Sequence, residues 1–467
     1  MNILLRTQSL CPVCKRPTEA VYVEERGGVL FRKSCPEHGT VSSIAADDAA
    51  AFSEWMRAPV VNITPRQALT AGADGECPLH CGTCDRHMQT ACCVLLDVTD
   101  RCNQSCPWCF ARAADDGGAD GDPDLARIER WYDRLTELGE ERKFNIQLSG
   151  GEPTVRDDLP EIIAMGRRKG FEYIQLNTNG RRLALEDGYA ERIKDAGASV
   201  AFLQFDGLRD DIYEVLRGAP MLAVKRRAVE RCRRAGLPVT LVPTVLKDVN
   251  LDDIGDMIRY MLDNLDVVKG IHFQPASFFG RHPRAEASAG PAAAACDYEN
   301  RVTMFDVMRA IVTQTDGLFS RADMIPITAG HPLCCFSGSF LREADGRVKS
   351  LMRAEQREQG ASCCCEPDPL EIIRRDRDFV LRKWEMDAPG GASDGGCCGE
   401  GEALDGALDF DAFIAYVRRN RFTLTGMAFQ DINTLDAERL KRCRVQVFSR
   451  DERLIPFCAY NSLYRPL

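Results

Sequence analysis

The stretch Cys102-Asn-Gln-Ser-Cys106-Pro-Trp-Cys109-Phe110 follows an apolar run, Cys93 to Val98, that predicts a buried strand. We therefore expect the three cysteines on the loop that leaves this strand. Thiolates at this spacing can each bind one iron of a [4Fe–4S] cluster, which leaves the fourth iron without a protein ligand. That open iron can bind a small molecule, although cysteines at similar spacing also bind zinc.

The composition indicates a soluble globular protein of two or three domains. The chain has 467 residues, of which 45% are apolar and 28% charged, with a net charge of −10 and no basic block that would indicate a nucleic-acid partner. No run approaches the roughly 18 apolar residues of a membrane span, and the apolar start of the chain is too short for a signal peptide. We therefore expect a cytoplasmic protein, whose 22 cysteines are metal ligands or redox thiols.

Residues 1–45 predict a metal-binding hairpin of the zinc-ribbon or rubredoxin type. Cys11-Pro-Val-Cys14 precedes two short strand patterns that are joined by Gly27-Gly28, and Cys35-Pro-Glu-His38 follows them. Two ligand pairs of this kind suit one tetrahedral ion, either zinc or a single iron. His38 is the weakest of the four candidate ligands, and a plain hairpin with spare thiols is the alternative.

Residues 46–92 predict a connector with a short helix, Ala49 to Met56, and then a cysteine-rich loop. Cys77, Cys81, Cys84 and Cys92 lie within sixteen residues of one another. Such a density of thiols suits a second, fully ligated [4Fe–4S] cluster, with zinc as the alternative.

Residues 93–315 alternate between strand and helix patterns, which predicts an α/β fold with a parallel sheet. Right-handed crossovers between six such strands would form a partial (β/α)6 barrel, with ligands at the carboxyl ends of the strands. The predicted strands are Val94–Val98, Phe144–Leu148, Tyr173–Asn177, Val200–Phe205, Val239–Val245 and Gly270–Gln274.

Polar and glycine-rich turns follow three of these strands. Ser149-Gly150-Gly151-Glu152-Pro153 combines glycines, which allow close approach of the backbone to a ligand, with a carboxylate that can accept from an ammonium group. Asn177 and Asn179 follow the third strand, and Gln204 and Asp206 follow the fourth. Each of these four residues is equally well explained as a turn cap.

Residues 316–467 predict a C-terminal region with metal ligands of its own. Cys443 and Cys458 flank a predicted hairpin, which would bring them together and, with Cys334 or Cys335, form a third cluster. Residues 386–406 are rich in glycine and predict a flexible segment that carries Cys397-Cys398.

The motifs together resemble the radical S-adenosylmethionine (radical SAM) superfamily. The first motif together with Gly150-Gly151-Glu152-Pro153 carries this resemblance. The N-terminal pairs Cys11-Pro-Val-Cys14 and Cys35-Pro-Glu-His38, the loop from Cys77 to His87, the stretch Val98-Thr-Asp-Arg-Cys102 and the stretch Ile455-Pro-Phe-Cys458-Ala-Tyr-Asn461 resemble the branch of tetraether lipid synthases and pterin-methylating enzymes. Within it, Val224-Lys-Arg and other segments are most similar to the radical SAM (seleno)protein TrsS family. One departure is that no cysteine shortly precedes His331.

The resemblance implies the cofactors and the roles of individual residues. Cys102, Cys106 and Cys109 would hold the cluster that binds SAM, and Gly150, Gly151 and Glu152 would hold the SAM amino group. It also implies that the polar residues Asn177, Asn179, Gln204 and Asp206 line the SAM pocket or the substrate site beside it. One or two auxiliary [4Fe–4S] clusters and one zinc or mononuclear iron would complete the metal content.

The reaction implied by the resemblance is reductive cleavage of SAM to a 5′-deoxyadenosyl radical. That radical would activate a substrate C–H bond, for C–C bond formation or for methyl or methylene transfer. The expected partners are a small-molecule or lipid substrate, an electron donor such as ferredoxin or flavodoxin, and a methyltransferase-like protein. The alternatives are a radical SAM enzyme for sulfur or selenium compounds, a peptide-modifying enzyme, and a non-enzymatic iron–sulfur or zinc scaffold.

Overall fold

The computed structural model of the protein describes residues 2–65, 77–82, 84–113, 121–139, 143–283, 301–327, 330–351 and 410–465. Its strands are β1 Asn2–Leu10, β2 Pro17–Glu25, β3 Gly28–Cys35, β4 Gly39–Ala46, β5 Cys93–Thr99, β6 Asn145–Gly150, β7 Ile174–Thr178, β8 Val200–Gln204, β9 Val239–Val242, β10 Thr244–Val245, β11 Val268–Pro275, β12 Ile325–Pro326, β13 Cys335–Arg342, β14 Val348–Ser350, β15 Arg421–Met427, β16 Val445–Phe448 and β17 Leu454–Pro456.

The described helices of five or more residues are α1 Ala49–Met56, α2 Leu125–Leu138, α3 Leu159–Arg168, α4 Arg181–Leu185, α5 Tyr189–Asp195, α6 Asp210–Arg217, α7 Leu222–Ala235, α8 Ile254–Asp263, α9 Met304–Thr313, α10 Phe410–Asn420 and α11 Ala437–Lys441. A short helical segment, Phe457–Ala459, continues into a π-helical turn, Tyr460–Tyr464. None of the described helices is long and apolar enough to cross a bilayer.

The N-terminal module is an antiparallel sheet with the order β1-β2-β3-β4, so the predicted hairpin, β2–β3, carries one further strand on each side. Gly27 takes the positive φ of +83° that the turn between β2 and β3 requires. Helix α1 follows, with Asp48 accepting from the backbone N–H groups of Ala50 and Ala51 at its start. Tyr22 packs against Phe52 of this helix, with ring centroids 5.5 Å apart.

The six predicted parallel strands are confirmed, in the spatial order β5-β6-β7-β8-β9-β11. Their residues are almost all buried, as expected for a sheet covered by crossover helices. Pro243 has no N–H to donate and interrupts the fifth predicted strand, which is therefore split into β9 and β10. The parallel arrangement places the ends of β5 to β8, and the loops that follow them, on one side of the sheet.

The C-terminal strands join this same sheet, at both of its edges. Strand β15 pairs in parallel with β11, and β13 pairs antiparallel with β15. At the other edge β16 pairs in parallel with β5, and β17 completes the predicted hairpin with β16. In the described part of the chain the sheet thus has thirteen strands, and the strands of the C-terminal region are part of it. The cysteines at 363–365 and 397–398 and the glycine-rich segment 386–406 lie outside the described residues.

Candidate active site and metal centres

The loop after β5 carries Cys102, Cys106 and Cys109, as predicted, and a second loop holds it in place. Cys109 and Arg281 exchange two backbone hydrogen bonds, with N···O distances of 2.8 and 2.9 Å. The Arg281 side chain also donates from Nε to the carbonyl oxygen of Cys106 at 2.7 Å. The three-cysteine loop is therefore fixed by the segment that follows β11.

The surroundings of these thiols suit a bound metal cluster. Burial raises the pKa of Cys102 to about 12 and raises the pKa of Cys106. Buried thiolates need a nearby positive charge, and a coordinated iron supplies it because a metal-bound thiol is deprotonated. The three residues present therefore fit an iron–sulfur cluster.

Gly150 and Gly151 lie directly against the loop that carries the cysteines. A Cβ at Gly150 would lie 2.1 Å from the carbonyl oxygen of Thr99, and a Cβ at Gly151 would lie 2.2 Å from that of Arg101. Gly151 N–H donates to Thr99 and Glu152 N–H donates to Arg101, both at 2.8 Å. The two glycines thus allow the loops after β5 and β6 to approach each other closely.

The Glu152 carboxylate lies beside the three-cysteine loop, is buried, and accepts four hydrogen bonds. Oε1 accepts from Thr154 N at 3.1 Å, from Thr154 Oγ1 at 2.6 Å and from Thr178 Oγ1 at 2.8 Å. Oε2 accepts from the backbone N–H of Asn179 at 2.6 Å. Burial raises the pKa of Glu152, while the hydrogen bonds act in the opposite direction. Glu152 therefore joins the loops after β6 and β7.

Asn177 and Asn179 both line the same cavity as the cysteines. The Asn179 side chain bridges two loops, because its Nδ2 donates to Asn103 Oδ1 at 2.8 Å and its Oδ1 accepts from Arg181 N at 2.9 Å. Asn177 Oδ1 accepts from Gln175 Nε2 at 2.6 Å. Asn179 thus combines a turn-capping role with a position at the cavity.

Gln204 lines the cavity, whereas Asp206 is fully buried and forms an ion pair with Arg217. Nε and Nη2 of Arg217 each lie 2.7 Å from an oxygen of Asp206. The guanidinium also donates from Nη1 to the carbonyl oxygen of Trp108 at 3.0 Å and from Nη2 to Thr244 Oγ1 at 3.0 Å. Burial opposes the charged form, but Asp206 outweighs it and raises the pKa of Arg217.

Sequence reasoning missed Arg217 and the role of Lys225. Lys225 Nζ is buried and donates to Asn179 O at 2.6 Å and to Gln204 Oε1 at 2.7 Å. Burial lowers the pKa of Lys225 to about 7. In the sequence, Lys225 differs from its neighbours only as a basic residue on the buried face of α7, which is a weak indication of a site residue. No local motif marks Arg217.

A cavity of about 240 Å³ joins these elements. The loops after β5 to β8 and Arg217 contribute polar groups to its wall. Its large aromatic side chains are Trp108, Phe110, Phe202, Phe279, Phe429 and Phe457. Phe457 contacts Phe110 of the cysteine loop and Phe429, with centroid distances of 5.7 and 4.4 Å. Polar groups and six large aromatic side chains therefore line the same cavity as the three cysteines.

The four predicted ligands of the N-terminal module lie together. The ligand atoms of Cys11, Cys14, Cys35 and His38 are all within 4.8 Å of one another, and among the described residues they form the one group of three or more candidate ligands this close. Hydrogen bonds from the Arg16 backbone and side chain lower the pKa of Cys14 to about 6. This compact thiol-rich set fits a single tetrahedral ion.

The second cysteine group lies on the loop that precedes β5, and its thiols act on one another. The thiols of Cys77 and Cys81 interact directly, and the charges that act on Cys81 are those of Cys77, Cys84 and Cys443. Cys92 instead interacts with its neighbour Cys93 and accepts from Asn145 Nδ2 at 3.8 Å. Cys443 therefore lies near this group, which the spacing in the sequence did not indicate.

The third group contains Cys334, Cys443 and Cys458. The charges of Cys443 and Cys334 both act on Cys458, whose Sγ accepts from the Gln430 N–H at 3.2 Å. Burial raises the pKa of Cys443 to about 12. Burial opposes the charged form of Arg439, but Cys334 outweighs it and raises the pKa of Arg439, so a buried cation accompanies these thiols. Cys335 is buried at the start of β13, where it pairs with Met427.

Comparisons with known proteins identify the family. The Radical SAM superfamily model matches residues 96–261, and the HMPTM N-terminal zinc ribbon domain model matches residues 3–47. The chain is 32% identical to the 7,8-dihydro-6-hydroxymethylpterin dimethyltransferase of Methanocaldococcus jannaschii, over 98% of this chain and 94% of that protein.

Two further similarities are more limited. A probable GTP 3′,8-cyclase of Methanothermobacter thermautotrophicus is 31% identical over 38% of this chain and 55% of its own length. The crystal structure of Streptococcus suis SuiB bound to S-adenosylmethionine aligns with a TM-score of 0.37 at 13% identity, over 53% of this chain and 61% of SuiB. The chain therefore belongs to the radical SAM superfamily, as an enzyme that uses a [4Fe–4S] cluster and SAM, in one family with the M. jannaschii dimethyltransferase and with an N-terminal zinc ribbon domain.

Proposed function

We propose that this enzyme transfers a methyl or methylene group to an unreactive carbon of a small heterocyclic substrate of the pterin type. The observation that carries the proposal is the cavity of about 240 Å³, because six large aromatic side chains line it together with the cysteine loop. A planar heterocycle suits aromatic walls, since stacked and edge-to-face ring contacts are favourable. The similarity to a pterin dimethyltransferase over 98% of the chain supports the same substrate class and weighs against a lipid.

The part of the cavity beside the three cysteines is the proposed SAM site. Cys102, Cys106 and Cys109 would hold three irons of the cluster and leave the fourth open. The backbone of Gly150 and Gly151 faces the same space, and Glu152 lines it. We assign the SAM amino group to this stretch.

Arg217 is the proposed partner of the SAM carboxylate. Its hydrogen bonds to Asp206, Trp108 and Thr244 use four of the five N–H donors of a guanidinium. The fifth remains for a ligand, and a guanidinium matches the geometry of a carboxylate. Asn177 and Gln204, at the ends of β7 and β8, would face the nucleoside part of SAM.

When bound and reduced, the cluster and SAM supply a 5′-deoxyadenosyl radical that takes hydrogen from a C–H bond. The protein's own residues orient the reactants and limit the access of water to the site. Arg281 and Glu152 fix the loops around the cysteines through their hydrogen bonds. Phe279, Phe429 and Phe457 line the same cavity with aromatic surface. This rigidity favours a single reaction geometry.

The remaining thiols are proposed as ligands of two auxiliary [4Fe–4S] clusters. Cys77, Cys81 and Cys84 would hold one, with Cys92 or Cys443 as the fourth ligand. Cys334, Cys443 and Cys458 would hold the other. The clusters require a one-electron donor such as ferredoxin or flavodoxin. The resemblance to TrsS adds a methyltransferase-like partner, and the many cysteines, proposed as metal ligands, favour the cytoplasm.

The test uses protein purified without oxygen and reduced with dithionite in the presence of SAM. Formation of 5′-deoxyadenosine is measured with 6-hydroxymethyl-7,8-dihydropterin, with a tetraether lipid precursor, and with neither. We expect the pterin to increase the formation of 5′-deoxyadenosine. Cys106→Ala should abolish the product, whereas Cys232→Ala, a buried cysteine of α7, should retain it. Stimulation by the lipid alone would overturn the proposed substrate class.

A further inference from the structure

The zinc ribbon contacts the C-terminal segment 430–443 through buried polar side chains. Asp436 accepts from Thr7 Oγ1 at 2.6 Å and from the Tyr22 hydroxyl at 2.8 Å. Ser9 Oγ donates to the carbonyl oxygen of Leu435 at 2.5 Å. These three bonds connect strands β1 and β2 of the ribbon to the start of helix α11.

Lys33 adds a fourth connection from the buried face of β3. Its Nζ donates to the carbonyl oxygen of Ile432 at 2.5 Å and to that of Leu10 at 2.9 Å, and it lies 3.3 Å from Ser9 Oγ. Lys33 and Asp436 are 2% and 0% exposed. Buried polar groups of this kind are costly unless they are paired, so the contact defines one relative position of the two segments.

The contacting residues are adjacent in sequence to the metal ligands of the ribbon. Ser9 and Leu10 directly precede Cys11, and Lys33 is two residues from Cys35. Lys33 donates to both Leu10 and Ile432, so this one side chain joins the two halves of the metal site to the C-terminal segment. Folding of the ribbon around its metal and its contact with that segment are thus mechanically connected.

The opposite side of the same segment carries the third cysteine group. The Gln430 N–H donates to Cys458 Sγ at 3.2 Å, and Gln430 Oε1 accepts from the Asp436 N–H at 2.7 Å. Arg439 of α11 donates from Nη2 to Ala428 O at 2.7 Å, and Cys334 raises the pKa of its guanidinium against the opposing effect of burial. The helix then ends two residues before Cys443.

We propose that the zinc ribbon acts as an intramolecular clamp that orders the ligands of the third cluster. Zinc binding fixes Ser9, Leu10 and Lys33, and these residues position Asp436 and helix α11. The helix in turn positions Arg439 and Cys443 beside Cys334 and Cys458. The ribbon is therefore an assembly element for the auxiliary cluster, and this inference rests on the proposed third cluster.

The test compares metal content of the full-length protein after anaerobic reconstitution. The iron that belongs to the third cluster is defined by Cys458→Ala, which should lose about four irons per chain. Lys33→Met should lose the same amount of iron while it keeps zinc, and Cys14→Ser should lose both zinc and this iron. The matched control is Arg32→Met, because Arg32 directly precedes Lys33 on β3 but pairs with Glu25 within the ribbon.

The outcomes separate the clamp from the proposed cluster. If Cys458→Ala has the iron content of the wild type, the third cluster itself is wrong. If Cys458→Ala loses iron but Lys33→Met does not, the clamp is overturned. Should Lys33→Met also lose zinc, Tyr22→Phe and Asp436→Asn decide, because they alter the contact away from the metal ligands. Electron paramagnetic resonance of the reduced variants should show the same missing cluster signal in Lys33→Met and Cys458→Ala.

Discussion

The Glu152 carboxylate accepts the backbone N–H of Asn179 at 2.6 Å, which joins the loop after β6 to the loop after β7. The bond lies at the edge of the cavity where SAM is proposed to bind. Three further donors, from Thr154 and Thr178, hold the other carboxylate oxygen. Glu152 thus organises two loops of the site in addition to facing the cavity.

Replacement of Glu152 by Gln should weaken SAM binding. The NH2 group of the new amide only donates hydrogen bonds. It must face either the Asn179 N–H or the three donors around Oε1, none of which can pair with it as they are arranged now. An unmatched buried donor costs about 1–3 kcal/mol, which corresponds to roughly a tenfold to hundredfold loss of affinity. Anaerobic titration calorimetry with SAM measures this change. Glu161→Gln, an exposed change on α3, should bind SAM as the wild type does, and an equal affinity of the two variants would contradict the prediction.

Gly151→Ala should displace the cysteine loop. Its Cβ would lie 2.2 Å from the carbonyl oxygen of Arg101 and 2.9 Å from that of Asp100, so the backbone must move. We expect loss of the SAM-binding cluster, about four irons per chain, with zinc retained. Iron and zinc analysis measures both. Gly330→Ala is the control, since a Cβ there meets no described atom within 4 Å, and full iron in Gly151→Ala would show that the loop tolerates the shift.

The six parallel strands were predictable because each depends on local apolar patterning and on the turn residues that follow it. The same holds for the four ligands of the zinc ribbon, whose pairs lie on the two sides of one hairpin. Short-range patterns of this kind need no knowledge of distant residues.

The contributions of the C-terminal region were not predictable in the same way. Gly270 pairs with Thr423, and Cys93 pairs with Val445, across more than 150 residues of sequence. The position of Cys443 near two thiol groups follows from that pairing and not from its spacing to other cysteines. Arg217 likewise reaches the site only because α6 packs beside the cysteine loop, and no motif marks that contact.

The ion pair between Asp206 and Arg217 should show strong coupling in a double-mutant cycle. Both side chains are buried, and each single change leaves the other charge without its partner, which costs about 3–5 kcal/mol. Asp206→Asn and Arg217→Met should therefore each lower the melting temperature more than the double variant does. The exposed pair Arg168 and Glu161 is the matched control, with an expected coupling below about 1 kcal/mol. Additive effects at Asp206 and Arg217 would show that the two charges are independent.

Lys225 should make the stability of the protein depend on pH above neutrality. Burial lowers its pKa from 10.5 to about 7, so between these values the unfolded chain binds a proton that the folded protein does not. Stability rises with pH wherever the unfolded state binds more protons. The cost of the buried charge is thus fully present below pH 7 and is relieved as the pH rises toward 10.

The measurement is the difference in unfolding free energy between the wild type and Lys225→Met across pH 6 to 9. Groups shared by the two proteins cancel in this difference, which isolates Lys225. We expect no slope below pH 7, and above it a gain for the wild type of up to about 1.4 kcal/mol per pH unit. Arg226→Met, an exposed change at the next position of α7, should give no such slope. A flat difference for Lys225→Met would mean that the ammonium keeps its ordinary pKa, held by the carbonyl oxygens of Asn179 and Gln204.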